Sequence, residues 1–259
     1  MARYGSWMAL VALIATLTAC GGGGGGGSTS TSVPANASPG GIWKGTDSAT
    51  GQTVLGLVTE NGQFHFIQAD DTQYVGTVTT SGNTLQGTFA GFAPFGTTFP
   101  DGTTHGTGTV SGSIQARSSI TATTTFTTDA GTSNSSQLTL TFDTLYDQPS
   151  SLATIAGNYT DPTTGTVYSV SGSGAIFAQD ATSGCVINGT VSIINSSYDA
   201  YGIAYTFANC TGSYAVLNGV QMSGIGTLDT TVSPEQAIIG VSGSSGTTQV
   251  AEVDVLNRI

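Results

Sequence analysis

The stretch TVLGLVTENGQFHFIQ, residues 53–68, has the pattern of a β-hairpin and points to an antiparallel β fold. Two runs rich in apolar and aromatic residues flank Asn61-Gly62, a pair that tolerates positive φ and favours a tight turn. A two-residue turn there would place Val58 opposite His65 on the less apolar face, which makes His65 a surface histidine. The more apolar face would turn inward and carry Leu55, Leu57, Phe64 and Phe66.

The rest of the first half continues as short strands separated by turn-forming residues. Only 7% of the chain is charged, and it is rich in Thr, Val, Gly and Tyr, which favour strands and turns over long helices. No window has helical periodicity. The pattern predicts about eight short strands in this half. They are 41–46, 53–59, 63–68, 74–80, 84–89, 106–114, 119–127 and 137–145.

The second half repeats the plan of the first. Gly41-Ile42-Trp43 followed by TDSATGQT matches Gly157-Asn158-Tyr159 followed by TDPTTGTV, and YVGTV at 74–78 matches INGTV at 187–191. We interpret this as an internal duplication of about 105 residues. It predicts an all-β protein with two β domains, 41–148 and 156–259. The domains would be antiparallel meanders closed as two tandem small barrels or sandwiches; one larger β-sandwich or barrel is the alternative.

The Gly-x-Trp and Gly-x-Tyr openings of the two halves resemble the start of calycin barrels, the lipocalin and avidin group. The resemblance implies that each aromatic residue closes one end of an up-and-down barrel, with an arginine stacked on it. Arg117 and Arg258 are the candidates for that partner. Three residues in each half carry the resemblance, so it supports a closed meander and not a lipocalin function.

The N-terminus resembles that of a bacterial lipoprotein precursor. Arg3 precedes an apolar run at 8–17 that is too short to span a bilayer, and Leu17-Thr18-Ala19-Cys20 matches a lipobox. The resemblance implies a signal peptide at 1–19 and a covalent acyl lipid, such as palmitate, on Cys20. Because Gly21 and not Asp follows the cysteine, it also implies anchoring in the outer membrane. It leaves open whether the body faces the periplasm or the cell surface.

Residues 20–40 have the composition of a flexible tether. Seven glycines at 21–27 are followed by Ser, Thr, Pro and Ala. Such a segment buries little apolar surface and behaves as a random coil that spans roughly 25 Å. We therefore expect a folded body held away from the lipid.

The charge balance excludes one class of partner. Beyond the signal peptide, Lys44, Arg117 and Arg258 stand against fifteen acidic residues. Nucleic-acid binding needs Lys and Arg to neutralise phosphates, so this class is excluded. The scattered aspartates lack the dense pattern of a calcium loop, and we expect no metal and no cofactor besides the lipid.

Cys185 and Cys210 are the cysteines that remain after Cys20. A pair in an oxidising envelope predicts a disulfide. If 185–194 and 200–210 form a hairpin whose turn is centred between Ser197 and Tyr198, the two cysteines lie opposite each other. Closing that loop would contribute roughly 3 kcal/mol.

Two features offer chemistry or recognition. Asp101 and His105 lie four residues apart in PDGTTHG, and a loop could bring them together for acid–base catalysis or metal ligation, which is the basis of a hydrolase alternative. The segment 89–106 is long for a loop in a compact β domain. It carries Phe89, Phe92, Phe95 and Phe99. These rings would form either an exposed binding loop or, as we favour, a plug in a barrel end.

These observations predict a lipid-anchored outer-membrane protein that is not an enzyme. It would act as a binding or structural module of the envelope. Its partner would be a protein, a glycan or a small apolar ligand. The alternatives are an envelope hydrolase that uses Asp101 and His105, and a purely structural component with a filled interior.

Overall fold

The computed structural model describes residues 35–246 and 248–259, whose strands form two closed antiparallel barrels. The prediction of two tandem small β-barrels is confirmed. The signal peptide, the lipobox and most of the tether lie outside the described residues. Within the described part of the chain, no helix has the length and apolar character needed to cross a membrane.

The first barrel is an eight-stranded meander in which each strand pairs with the next and the last returns to the first. The eight predicted strands are all present, and six of them are longer than predicted by one to three residues. The strands are Gly41–Asp47 (β1), Thr53–Val58 (β2), Gln63–Gln68 (β3), Gln73–Ser81 (β4), Thr84–Phe92 (β5), His105–Gln115 (β6), Ser119–Thr128 (β7) and Ser133–Asp143 (β8).

The second barrel repeats this order, and β16 returns to β9. The 3₁₀ helix Thr144–Asp147 and the short α-helix Leu152–Ile155 (α1) connect the barrels, and a second 3₁₀ helix, Gly212–Leu217, follows β13. The strands are Gly157–Thr160 (β9), Val167–Val170 (β10), Ala175–Gln179 (β11), Val186–Ile193 (β12), Tyr201–Ala208 (β13), Gln221–Asp229 (β14), Gln236–Ser245 (β15) and Thr248–Arg258 (β16).

The turn between β2 and β3 differs from the two-residue turn expected at Asn61-Gly62. The Thr59 amide donates to the Gln63 carbonyl at 2.8 Å, and Gly62 has φ +84°, so three residues form the loop. A glycine at positive φ that follows a type I turn is the usual solution for this length. The extra residue places Leu57, and not Val58, opposite His65.

This change of register moves side chains between the faces of the sheet. Val54 and Val58 join Phe64 and Phe66 inside the barrel, while Leu57 and His65 lie on its outer surface. That surface is covered by the second barrel, and His65 is 5% exposed. The prediction of a surface histidine is therefore wrong.

One end of each barrel is closed in the same way. The indole nitrogen of Trp43, which is fully buried, donates to the Pro39 carbonyl at 3.1 Å. Correspondingly, the Tyr159 hydroxyl donates to the Ile155 carbonyl at 2.7 Å, and both bonds reach back four residues. The shared geometry of these first-strand aromatics supports the internal duplication.

The arginine partner expected from the calycin resemblance is present in the second barrel. The Arg258 guanidinium lies 5.3 Å from the Tyr159 ring centre and donates to the carbonyls of Thr154 and Ala156. It thereby ties α1 to the end of the last strand. Arg117 instead stacks on Tyr198 at 4.8 Å, in the contact between the barrels.

The two barrels share a third hydrophobic cluster that includes Ile42 and Leu57 of the first barrel, Ala200 and Ile225 of the second, and Tyr146 of the connection. Tyr146 is 1% exposed and stacks on Tyr198 with ring centres 5.0 Å apart. The contact therefore removes apolar side chains of both barrels from water, which stabilises the pair as one body.

The predicted disulfide between Cys185 and Cys210 is present. The strand register is one residue from the predicted one, because Val186 pairs with Ala208, which would set Cys185 opposite Asn209. Asn209 has φ +59°, and this local bend brings Cys210 to its partner. The disulfide pairing is thus confirmed and the predicted turn centre is wrong.

Candidate functional site

The open end of the first barrel is formed by four connections between consecutive strands: 48–52, 69–72, 93–104 and 129–132. Trp43 lies at the opposite end of the barrel and closes it there, so only the end formed by these four connections is open. Eight strands are enough to hold one small ligand in a barrel interior.

The interior of the first barrel contains a cavity of about 600 Å³ that reaches the open end. This volume lies in the range of small-molecule sites. Its walls are apolar for most of their depth. The apolar strand residues that line it are Val54, Val58, Phe64, Phe66, Val78, Leu85, Phe89, Val110, Ile120, Ala122, Phe126, Leu138 and Leu140.

Glycines that face inward explain why the aromatic side chains do not fill this space. Gly56 lies opposite Phe66, and Gly108 lies opposite both Phe89 and Phe126. A Cβ atom added to Gly108 would lie 2.3 Å from Phe89 Cζ, so the ring occupies the space that a side chain would need. The rings therefore lie against the wall, which is the known pairing of strand glycines with cross-strand aromatics.

The second barrel, by contrast, is packed with large side chains. Tyr159, Tyr201, Met222 and Leu228 are each at most 2% exposed. Polar positions also occur there. The Tyr205 hydroxyl donates to Glu252 at 2.5 Å, and burial raises the pKa of the Glu252 carboxyl.

Polar side chains form a connected network where the cavity reaches the open end. Asp47 is 6% exposed and accepts from the amides of Ala49 and Thr50 and from Gln68 Nε2 at 2.9 Å. The Tyr74 hydroxyl donates to Gln68 Oε1 at 3.4 Å. Because buried polar groups that are all bonded hold one geometry, this network fixes the shape of the cavity mouth.

The structure does not bring Asp101 and His105 together as a hydrogen-bonded pair. Asp101 accepts from the hydroxyls of Thr103 and Thr128, whereas His105 Nδ1 lies 3.1 Å from Asp129. The interaction of Asp101 with Thr128 joins the loop 93–104 to the end of β7, and the interaction of His105 with Asp129 joins the start of β6 to the connection 129–132. Their geometry thus explains the position of a loop and provides no acid–base pair.

The four phenylalanines predicted as one binding loop have different environments. Phe89 and Phe92 belong to β5 and are buried, and Phe89 lines the cavity. Phe99 packs against Phe126 at 5.3 Å and lies at the mouth, while Phe95 is 47% exposed and stacks on Tyr214 of the second barrel at 5.6 Å. The rings narrow the open end without filling the barrel, so the predicted plug is incomplete.

His65 is a buried polar residue that the sequence pattern wrongly places on the surface. Its Nε2 lies 2.8 Å from Gln73 Oε1, and its ring packs on the backbone of Gly240 in the second barrel. Burial lowers the pKa of His65 to about 4. The residue is therefore a neutral part of the contact between the barrels at neutral pH.

Within residues 35–246 and 248–259, no group of three or more His, Cys, Asp or Glu side chains is arranged to hold a metal ion. No family model matches the sequence, and no curated protein shows significant similarity to it.

Proposed function

We propose that the protein is a lipid-anchored binding module of the outer membrane whose first barrel holds a small, largely apolar molecule. The observation that carries this proposal is the apolar cavity of about 600 Å³ that opens between four loops. Cavities of this size in otherwise well-packed proteins are typical ligand sites. The resemblance of Leu17–Cys20 to a lipobox supports the anchor.

A binding role has more support than catalysis. Asp101 and His105 bond to different partners, and the side chains deep in the cavity are hydrocarbon. A purely structural role predicts a filled interior, which describes the second barrel and not the first. We therefore infer that the first barrel binds the ligand while the second barrel supports it.

Fluorescence titration with N-phenyl-1-naphthylamine, a neutral apolar probe, tests the binding proposal. We expect saturable enhancement with an affinity on the order of micromolar. Ala122 is 3% exposed and lines the cavity, so Ala122→Phe should fill the space and remove the signal. Thr123→Phe, at the exposed neighbouring position on the same strand, is the matched control and should bind as the natural chain does. Equal binding by the two variants would contradict the proposal.

Metabolic labelling with palmitate tests the anchor separately. The full-length chain should incorporate label and fractionate with the outer membrane, while Cys20→Ala should incorporate none. Label retained by Cys20→Ala would overturn the lipidation site. The cavity proposal would stand in that case, because it rests on the barrel alone.

A further inference from the structure

The open end of the first barrel carries charge of one sign. Asp47, Asp70 and Asp101 all line the cavity mouth. The four connections that form this end contain no Lys or Arg, and neither residue type lines the cavity within the described part of the chain. The mouth therefore has a negative potential that the cavity's low-dielectric walls strengthen.

The cations of the folded body are placed elsewhere and are each paired. Lys44 Nζ lies 2.5 Å from Asp143 Oδ2. The two arginines form ion pairs with acidic residues as well. These pairs are Arg117 with Asp147 and Arg258 with Glu235. None of them neutralises the carboxylates of the mouth.

Hydrogen bonds lower the pKa values of two of the mouth carboxyls, Asp70 and Asp101, and so favour their ionised form. Hydrogen bonds donated by Thr128 and Thr103 lower the pKa of Asp101. Partial burial raises the pKa of Asp70, but bonds from Gln52 and Thr72 outweigh it and the pKa is lowered. Burial, with the charges of Asp47 and Asp70, raises the pKa of Tyr74.

Aromatic rings stand beside these carboxylates. The ring centre of Phe126 lies 5.3 Å from that of Phe99, 6.0 Å from that of Tyr74 and 6.2 Å from that of Phe89. Phe99, Phe126 and Tyr74 all line the mouth or upper wall of the cavity. The faces of such rings attract ammonium groups, and quaternary ammonium ligands are commonly recognised in this way.

We propose that the ligand of the first barrel is a cationic amphiphile, with its hydrocarbon part in the cavity and an ammonium head among the carboxylates and rings of the mouth. This inference rests on the proposed function and names the ligand class for the same cavity. A fatty acid is the opposite case. Its carboxylate would lie beside three others without a cation to pair with, and like charges at close range are unfavourable.

Three ligands with the same twelve-carbon chain test the proposal, the two ions kept below their micelle-forming concentrations and the alcohol below its solubility limit. They are dodecyltrimethylammonium, dodecanol and dodecanoate, and each displaces N-phenyl-1-naphthylamine from the soluble chain that lacks the lipid. We expect the cation to bind about tenfold or more tightly than the alcohol, and the anion to bind more weakly than the alcohol. Higher salt should weaken binding of the cation and leave binding of the alcohol unchanged.

The variant Asp70→Asn/Asp101→Asn removes two charges from exposed positions of the mouth. It should reduce the ratio of cation affinity to alcohol affinity several-fold, with both affinities measured on the same variant. Asp229→Asn, which removes an acidic side chain from the end of β14 in the second barrel, is the control. It should change the affinity for neither ligand. Asp47 is left intact because its buried carboxylate accepts several hydrogen bonds.

The outcomes separate this inference from the proposed function. If alcohol and anion bind as well as the cation, the charge of the mouth does not select the ligand and this inference is overturned, while the binding function stands. If neither the probe nor any of the three ligands binds, the binding function itself is wrong.

Discussion

We expect protonation of His65 to lower the stability of the folded protein in acid, because of where its imidazole ring lies. The ring is 5% exposed at the contact between the barrels, and burial lowers its pKa from 6.5 to about 4. Between these two pH values the unfolded chain takes up a proton on His65 and the folded chain does not. The contribution of His65 to stability is therefore present above pH 6.5 and is lost as the pH falls towards 4.

The size of the effect follows from the two pKa values. Each pKa unit corresponds to about 1.4 kcal/mol, so a change from 6.5 to about 4 is worth about 3 kcal/mol. Other groups change stability over the same range with the opposite sign. Burial raises the pKa of Asp199 to about 6, which favours the folded state as the pH falls. Total stability thus mixes several groups, and a variant is needed to isolate His65.

His65→Gln provides that comparison because a glutamine amide can still donate to Gln73 and carries no titrating group. Urea unfolding at pH 7.5 and pH 4.5 would be measured for both chains. On going from pH 7.5 to pH 4.5, we expect the unfolding free energy of the natural chain to fall by about 2–3 kcal/mol more than that of His65→Gln. Equal pH dependence in the two chains would refute the reasoning and would mean that His65 is hydrated or opens locally.

Three further predictions concern the closure of the barrels, and each is measured by urea unfolding. The double substitution Cys185→Ala/Cys210→Ala should lower the free energy of unfolding by about 3 kcal/mol, because the disulfide closes a loop with a sequence separation of 25. An unchanged urea midpoint would argue that the disulfide does not constrain the unfolded chain. Trp43→Ala should cost about 3–5 kcal/mol, since Trp43 is fully buried at the closed end, whereas Trp43→Phe should cost less. Arg258→Met should cost about 1–3 kcal/mol because the carbonyls of Thr154 and Ala156 lose their charged donor; Arg117→Met, at a partly exposed position, should cost less.

The strand order of both barrels could be predicted because it depends on local patterns. Alternating β-branched residues separated by turn clusters mark the eight strands of the first barrel. The resemblance of the Gly-x-aromatic openings at Trp43 and Tyr159 to calycin barrels implies the closed ends. The disulfide could be predicted because two cysteines allow one pairing. These features require no knowledge of how distant strands pack.

Register and burial could not be predicted as well. The loop after Thr59 has three residues and not two, and Asn209 bends the chain beside Cys210; both depend on a single positive φ. A change of one residue moves every side chain to the other face, which is why His65 was misplaced. A signal for its burial exists in Leu55, Leu57 and Ile67, which give the outer face an apolar character too.

The cavity could not be predicted from the sequence because no local pattern reports an interior volume. The informative signal is the cross-strand pairing of glycines with aromatics, such as Gly56 with Phe66 and Gly108 with Phe89. It becomes readable only once the strand register is known. The second barrel has glycines as well, but Tyr159, Tyr201 and Met222 fill its interior.

The measurement that tests the central claim most directly is a crystal structure of the body grown with 1-bromododecane, using the anomalous signal of bromine to locate the chain. We predict bromine density inside the first barrel, between its apolar walls and the mouth at Asp47 and Phe99, and none in the packed interior of the second barrel. A first barrel whose side chains have closed over the cavity, with no bromine inside at saturating ligand, would contradict the account.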